Sequence, residues 1–88
     1  MQNKDNSYRV VVIPDLNQGR PITRRAAAHN ATEAAGAVLS LLPIGCVDCI
    51  EVSLVIPGHH SKGKVTFYSC LYGAGQGFQY ADRVVVPS

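Results

Sequence analysis

Apolar positions follow one another almost without interruption between residues 8 and 14. The segment YRVVVIP is rich in β-branched residues, which pack well on a pleated sheet. A strand that is covered on both faces shows such a continuous run, so we predict a central strand here, ended by a turn in PDLNQG. Residues 1–7 are polar and are predicted to be disordered, which leaves residues 8–88 as a single domain.

The next segment, RPITRRAAAHN, allows two interpretations. Its alanines favour a helix, whereas its position directly after a turn favours a strand that pairs with the first one. We predict a strand over residues 21–29 and keep a helix as the alternative.

Helical periodicity is clearest in the segment NATEAAGAVLSLLP. Asn30 can cap the first turn, and Glu33, three residues later, completes a capping box. We expect Gly36 to lie where the helix passes close to the sheet, because glycine is otherwise unfavourable inside a helix. The predicted buried stripe recurs at helical spacing until Pro43 intervenes and consists of Ala34, Ala35, Val38, Leu41 and Leu42.

Two later segments alternate with a period of two residues and predict a β-hairpin, with PGHHSKG between its strands. In CIEVSLVI one face carries Ile50, Val52, Leu54 and Ile56. In KVTFYSCLY one predicted face carries Val65, Phe67 and Leu71, and the other carries Thr66, Tyr68, Cys70 and Tyr72. The glycine-rich GAGQG then leads to a last strand in RVVVP.

These elements predict an α+β domain in which a single helix packs on an antiparallel sheet of four or five strands, in the approximate order ββαβββ. A chain of 88 residues with 47% hydrophobic content is long enough for one core. No repeat or linker divides it further.

Charge and cysteine content limit the classes of partner and the cellular compartment that we expect. The net charge is +2 and only 16% of residues are charged, so the chain lacks the basic balance of a dedicated polyanion binder. The N-terminal MQNKDNSY has no apolar core like that of a signal peptide, and no apolar stretch approaches the roughly 20 residues that cross a bilayer. Three cysteines, an odd number, fit reduced thiols. We therefore expect a cytoplasmic protein with no membrane partner.

The cysteines and histidines raise the question of a zinc site. Cys46 and Cys49 form a C-x2-C pair, followed by His59, His60 and Cys70. In the predicted hairpin the strand after Cys49 carries the histidines about 23 Å away, at about 3.3 Å per residue. Zinc ligands must all lie within about 2.0–2.3 Å of one ion. The three cysteines could cluster at one end but lack a fourth ligand, so we predict no metal and no cofactor.

Catalytic arrangements are equally incomplete. The same hairpin separates Cys70 from the histidines that a cysteine nucleophile would need. The six acidic residues are scattered, without a close pair for general acid and base roles. GAGQG is followed by an extended segment, whereas a phosphate-binding glycine loop opens a helix. We predict that the protein is not an enzyme.

Surface residues instead point to binding. Three arginines fall within six residues, and a guanidinium suits carboxylates and phosphates alike. Tyrosines on the hairpin add large contact area, and each has a polar hydroxyl. Two lysines lie at the tip of the hairpin. We assign partner binding to Arg20, Arg24, Arg25, Lys62, Lys64, Tyr68 and Tyr72.

Another protein is the partner that we expect. Two alternatives stay open. Aromatic and basic residues on a sheet can stack and neutralise single-stranded nucleic acid. An exposed strand can also pair with a second copy of the chain and form a homodimer.

The order of elements, namely a strand, a basic stretch, the helix ATEAAGAVLSLL, a hairpin and a short terminal strand, resembles the layout of small phage-encoded anti-CRISPR proteins. The resemblance covers most of the chain as a layout with an alanine-rich helix, not as a motif. It implies a stoichiometric inhibitor from a phage or other mobile element, which binds a host defence protein and blocks its nucleic-acid site or its assembly. No individual residue can be carried over.

Overall fold

The computed structural model describes residues 6–17, 19–55, 62–73 and 75–86 and shows one helix packed on an antiparallel sheet, which confirms the predicted α+β class. β1 begins two residues before the predicted start, and residues 1–5 lie outside the described residues. The elements are β1 (Asn6–Ile13), β2 (Ile22–Ala28), α1 (Ala31–Leu41), β3 (Cys46–Val55), β4 (Lys62–Gly73), β5 (Gly77–Gln79) and β6 (Asp82–Val86).

The sheet has β2 at one edge and two short strands at the other. Its order is β2-β1-β3-β4-β5, and β6 also pairs with β4. The middle strand is therefore β3, and the prediction of a central β1 is wrong. The expected coverage of β1 on both faces is wrong as well, because Val10 and Val12 are buried on the α1 side whereas Arg9 is exposed on the other. We call the side of the sheet opposite α1 the open face.

The ambiguous segment after the first turn is a strand, as predicted. β2 pairs antiparallel with β1 along its whole length, with Arg24 opposite Val10 and Arg25 opposite Arg9. Alanine favours helices intrinsically, but pairing with an adjacent strand outweighs that preference. The small side chains also suit a strand beneath a helix, since Ala28 is completely buried in the core.

Local signals form α1 as expected. The Asn30 Oδ1 atom accepts a hydrogen bond from the Glu33 N–H at 2.8 Å, and Glu33 Oε1 accepts one from the His29 N–H at 3.4 Å. The buried helical residues are Ala34, Ala35, Val38 and Leu39. Leu41, predicted to be buried, is 84% exposed. At about 100° per residue it lies about 90° around the helix from the middle of that stripe, and it occupies the last turn.

Gly36 lies at a close approach between α1 and β5, as predicted. A Cβ atom at this position would lie only 3.2 Å from the Cβ atom of Phe78. Glycine therefore lets the helix approach this short strand. Among the described elements, α1 contacts every strand except β6.

A local irregularity in β4 overturns the predicted faces of the second hairpin strand. Ser69 has a φ of 53°, a left-handed conformation that is uncommon for a residue other than glycine. Phe67 faces α1 before this point, and Cys70 and Tyr72 face α1 after it, packed in or against the core. Leu71 lies on the open face, 40% exposed. The predicted grouping of Leu71 with Phe67, and of Cys70 and Tyr72 with Tyr68, is therefore wrong.

The Ser69 conformation makes a direct test of this reversal. Ser69→Val should lower the free energy of unfolding by about 1–2 kcal/mol, because a β-branched side chain is strained at positive φ. Ser69→Gly should leave stability unchanged or slightly higher, since glycine adopts this conformation without strain. Urea titration of both variants measures the difference. Equal stability of the two variants would contradict the left-handed assignment.

Candidate partner-binding site

A groove of about 360 Å³ runs between the edge strand β2 and the C-terminal half of α1. Within the described residues β2 pairs with β1 alone. The backbone N–H and C=O groups on its outer edge therefore have no strand partner there. The exposed Leu41 side chain contributes apolar surface at the helix end. We call this feature the β2–α1 groove; it is lined by Arg24, Arg25, Ala26, Ala27, Ala37, Val38, Leu41 and Leu42.

Two of the predicted arginines border the groove but point to opposite sides of the sheet. Arg24 lies opposite the buried Val10 and therefore projects on the α1 side, whereas Arg25 lies opposite Arg9 and projects on the open face. Both are exposed, and neither forms an ion pair with a described carboxylate. The Arg24 Nη1 donates a hydrogen bond to the Thr23 carbonyl at 2.9 Å. Both guanidiniums thus keep donors for a ligand.

The third predicted arginine does not join them. Arg20 is exposed in the segment between β1 and β2 and does not line the groove.

The hairpin residues do not form one surface. Tyr68 is 37% exposed on the open face, whereas Tyr72 pairs with Phe78 on the α1 side and packs against the core. The predicted tyrosine row therefore does not exist. The Lys64 Nζ lies 3.7 Å from a carboxylate oxygen of Glu51, so its charge is partly neutralised. Lys62 begins β4, and its side chain lies outside the described residues.

The open face carries a cation that the sequence interpretation missed. Arg9 lies directly opposite Arg25 on one side and Ser53 on the other, and Ser53 lies opposite Lys64. Like charges in directly opposite positions destabilise a sheet, so an anion between Arg9 and Arg25 would be favoured. Burial in β1 alternates with a period of two, which places Arg9 on the open face. The continuous apolar run in the sequence instead favoured a strand that is covered on both faces.

Leu41 is the other functional candidate that the sequence interpretation missed. Its spacing from Ala34 and Val38 placed it in the predicted core, and no sequence signal showed that the sheet ends beneath it. The precise angular position of a helical residue relative to a sheet edge depends on tertiary packing.

All three cysteines are free thiols. Cys46 is exposed, and Cys49 and Cys70 are buried. Burial raises the pKa of the Cys70 thiol to about 12 and also raises the pKa of Cys49. No group of three or more histidine, cysteine or acidic residues in the described ranges could hold a metal ion. His59 and His60, part of the zinc question, lie outside those ranges.

Alkylation tests this arrangement of thiols. At about pH 8, iodoacetamide should modify Cys46 in the folded protein and leave Cys49 and Cys70 unmodified, because buried protonated thiols are poor nucleophiles. Intact-mass analysis followed by peptide mapping identifies the modified residues. Protein unfolded in guanidinium chloride, the control, should take up three adducts. Rapid native labelling of Cys70 would contradict its place in the core.

No helix in the part of the chain that the structure describes is long and apolar enough to cross a membrane. No protein-family model matches the sequence, and neither characterised proteins nor solved structures gave a significant match. The β2–α1 groove and the open face are therefore the basis for a functional proposal.

Proposed function

We propose that this chain is a non-catalytic protein-binding module that receives its partner in the β2–α1 groove. The observation that carries the proposal is Leu41, which is 84% exposed in a groove beside an unpartnered strand edge. A single exposed leucine is ordinary on a protein surface. Here it adjoins backbone hydrogen-bonding groups and two arginines that form no ion pair with a described carboxylate. Apolar contact, main-chain bonding and charge together suit a polypeptide.

The proposed class of partner is a host defence complex such as CRISPR-Cas, which the chain would inhibit as a phage or mobile-element product. The layout of a basic strand, an alanine-rich helix and a hairpin supports this proposal. A cytoplasmic setting is part of it and is supported by the three free thiols, which persist in a reducing compartment. Such an inhibitor acts by stoichiometric binding, so one partner should be retained at a fixed ratio.

Affinity capture from a nuclease-treated bacterial lysate, followed by native mass spectrometry, tests the proposal. Leu41→Asp should reduce the retained protein partner at least about tenfold, which corresponds to about 1.4 kcal/mol. Leu16→Asp is the matched control, because Leu16 is 60% exposed in the turn after β1 and does not line the groove. It should retain the partner at the wild-type level. Equal retention by both variants, or loss by both, would contradict a site in the groove.

Single-stranded nucleic acid is a second candidate, favoured by one observation on the open face. Arg9 and Arg25 lie directly opposite each other, and Lys64 and the exposed Tyr68 lie on the same face. Binding of a labelled oligonucleotide should then weaken steeply with salt, and Arg9→Gln should reduce the slope by about one. A flat salt response would contradict this candidate.

A further inference from the structure

We propose that the occupant of the β2–α1 groove is an extended acidic segment of the partner, which adds to β2 as a further antiparallel strand. This inference rests on the proposed function and specifies the chemistry of the ligand. Addition of a strand to a sheet edge gives affinity through main-chain hydrogen bonds and selectivity through alternate side chains.

The edge of β2 is suited to strand addition. Its pairing with β1 continues over all seven residues without a register shift, so its outer edge is regular. Natural proteins commonly block such edges with charged side chains, bulges, prolines, short strands or a covering helix, and β2 carries the charges of Arg24 and Arg25. Residues 22–28 contain no proline, and α1 leaves a groove beside the strand where a cover would lie. Within the described residues no second strand pairs with this edge, so it can accept a strand from another chain.

The divergence of Arg24 and Arg25 favours an extended ligand over a helical one. The two side chains project on opposite sides of the sheet, so a helix packed on the α1 side would face the Arg24 side chain and not the Arg25 side chain. Successive side chains of a strand also project to opposite sides. A strand added at this edge meets both arginines with two consecutive residues.

Charge specifies the ligand and argues against a second copy of the chain. Antiparallel pairing of β2 with itself around its midpoint brings arginines of the two copies opposite or next to each other, and like charges across a sheet are unfavourable. Carboxylates in those positions form charge-assisted hydrogen bonds with the guanidiniums instead. The arginines thus oppose self-association and accept an acidic strand.

The register predicts a short sequence pattern in the ligand. In an antiparallel addition, the ligand residues opposite Ala26, Arg25 and Arg24 follow one another from its N-terminus to its C-terminus. The first projects on the α1 side, where Leu41 and Val38 line the groove, and should be apolar. The next two should be acidic. Exposed ion pairs contribute little to affinity, so the acids serve mainly to select the ligand.

Two synthetic peptides of nine residues test the inference by isothermal titration calorimetry and backbone NMR. Both have valine and threonine flanks, and one has Leu-Glu-Glu at its centre where the other has Leu-Lys-Lys. The wild-type protein should bind the glutamate peptide at least about tenfold more tightly, with amide shifts concentrated in β2 and the end of α1. The double variant Arg24→Glu/Arg25→Glu should reverse the preference. No binding of the glutamate peptide at about 1 mM, or an unchanged preference in the double variant, would overturn the inference.

Proline substitutions separate strand addition from other ways of filling the groove. Ala26 and Ala27 are adjacent, so one N–H points towards β1 and the other points outward. Ala26→Pro and Ala27→Pro each remove one of these N–H groups. The variant that keeps the wild-type NMR spectrum has lost the N–H that points outward, away from β1. That variant should bind the glutamate peptide at least about tenfold more weakly. Undiminished binding by that variant would overturn strand addition. If strand addition is overturned but partner capture still depends on Leu41, the proposed function stands. If partner capture does not depend on Leu41, the proposed function and strand addition both fail.

Discussion

Replacement of Phe67 by alanine is expected to lower the free energy of unfolding by about 3–5 kcal/mol. The Phe67 ring is completely buried on the α1 side of β4. It meets the Phe78 ring edge-on at a centroid distance of 5.3 Å and the Tyr80 ring at 4.7 Å, and the Arg83 guanidinium lies 6.0 Å from its centroid. A domain of this size has a total stability of only about 4–13 kcal/mol, so this loss removes a large fraction of it.

Tyr68→Ala is the matched control for this large loss. Tyr68 is the next residue of the same strand, but it lies on the open face and is 37% exposed. Its loss should cost less than about 1 kcal/mol, as expected for a surface substitution. Urea denaturation followed by circular dichroism measures both. Similar losses for Phe67→Ala and Tyr68→Ala would contradict the assignment of a single covered face to the sheet.

The second large effect is on binding. Arg24→Glu combined with Arg25→Glu should weaken the affinity for the captured partner at least about 100-fold, which corresponds to about 2.7 kcal/mol. Reversed charges would repel an acidic ligand and remove the donors that it uses. Both arginines are exposed and lack described acidic partners, so the melting temperature should change by less than about 4 °C.

Arg20→Glu is the control for a general effect of charge. Arg20 is exposed in the segment between β1 and β2 and does not line the groove, so its reversal should weaken binding less than about threefold. Biolayer interferometry at two salt concentrations measures the affinities, and calorimetry measures stability. A large fall in the melting temperature of the double variant would make the two arginines structural, and an equal effect of Arg20→Glu would contradict a local site.

Elements of this fold were predictable where the sequence acts locally. The hydrogen bond between Asn30 and Glu33 fixes the start of α1 from residues three apart. Period-two alternation likewise predicts β3 and the first part of β4. The reversal at Ser69 was not predictable in this way, because serine carries no intrinsic preference for positive φ and the conformation is imposed by its surroundings. Beyond this residue, Tyr72 packs against the core and does not lie on the predicted surface.

The candidate site was predictable only in part, for a related reason. The sequence shows that Arg24 and Arg25 are adjacent, and alternation in a strand then requires their divergence. It does not show that β2 is an edge strand or that α1 ends beside it, because sheet order depends on long-range pairing. The exposure of Leu41 and the position of Arg9 opposite Arg25 follow from that order. The two arginines were therefore predictable from the sequence, whereas the exposure of Leu41 and the arrangement of the site were not.

Amide hydrogen exchange of the free protein and of its complex with the captured partner tests the binding site most directly. Partner binding should slow exchange at outward-facing amides of β2 and in the last turns of α1. β6, one of the two short strands at the opposite edge of the sheet, is the internal comparison and should exchange at the same rate in both states. Slowed exchange in β6 with no change in β2 would contradict the β2–α1 groove as the site of protein recognition.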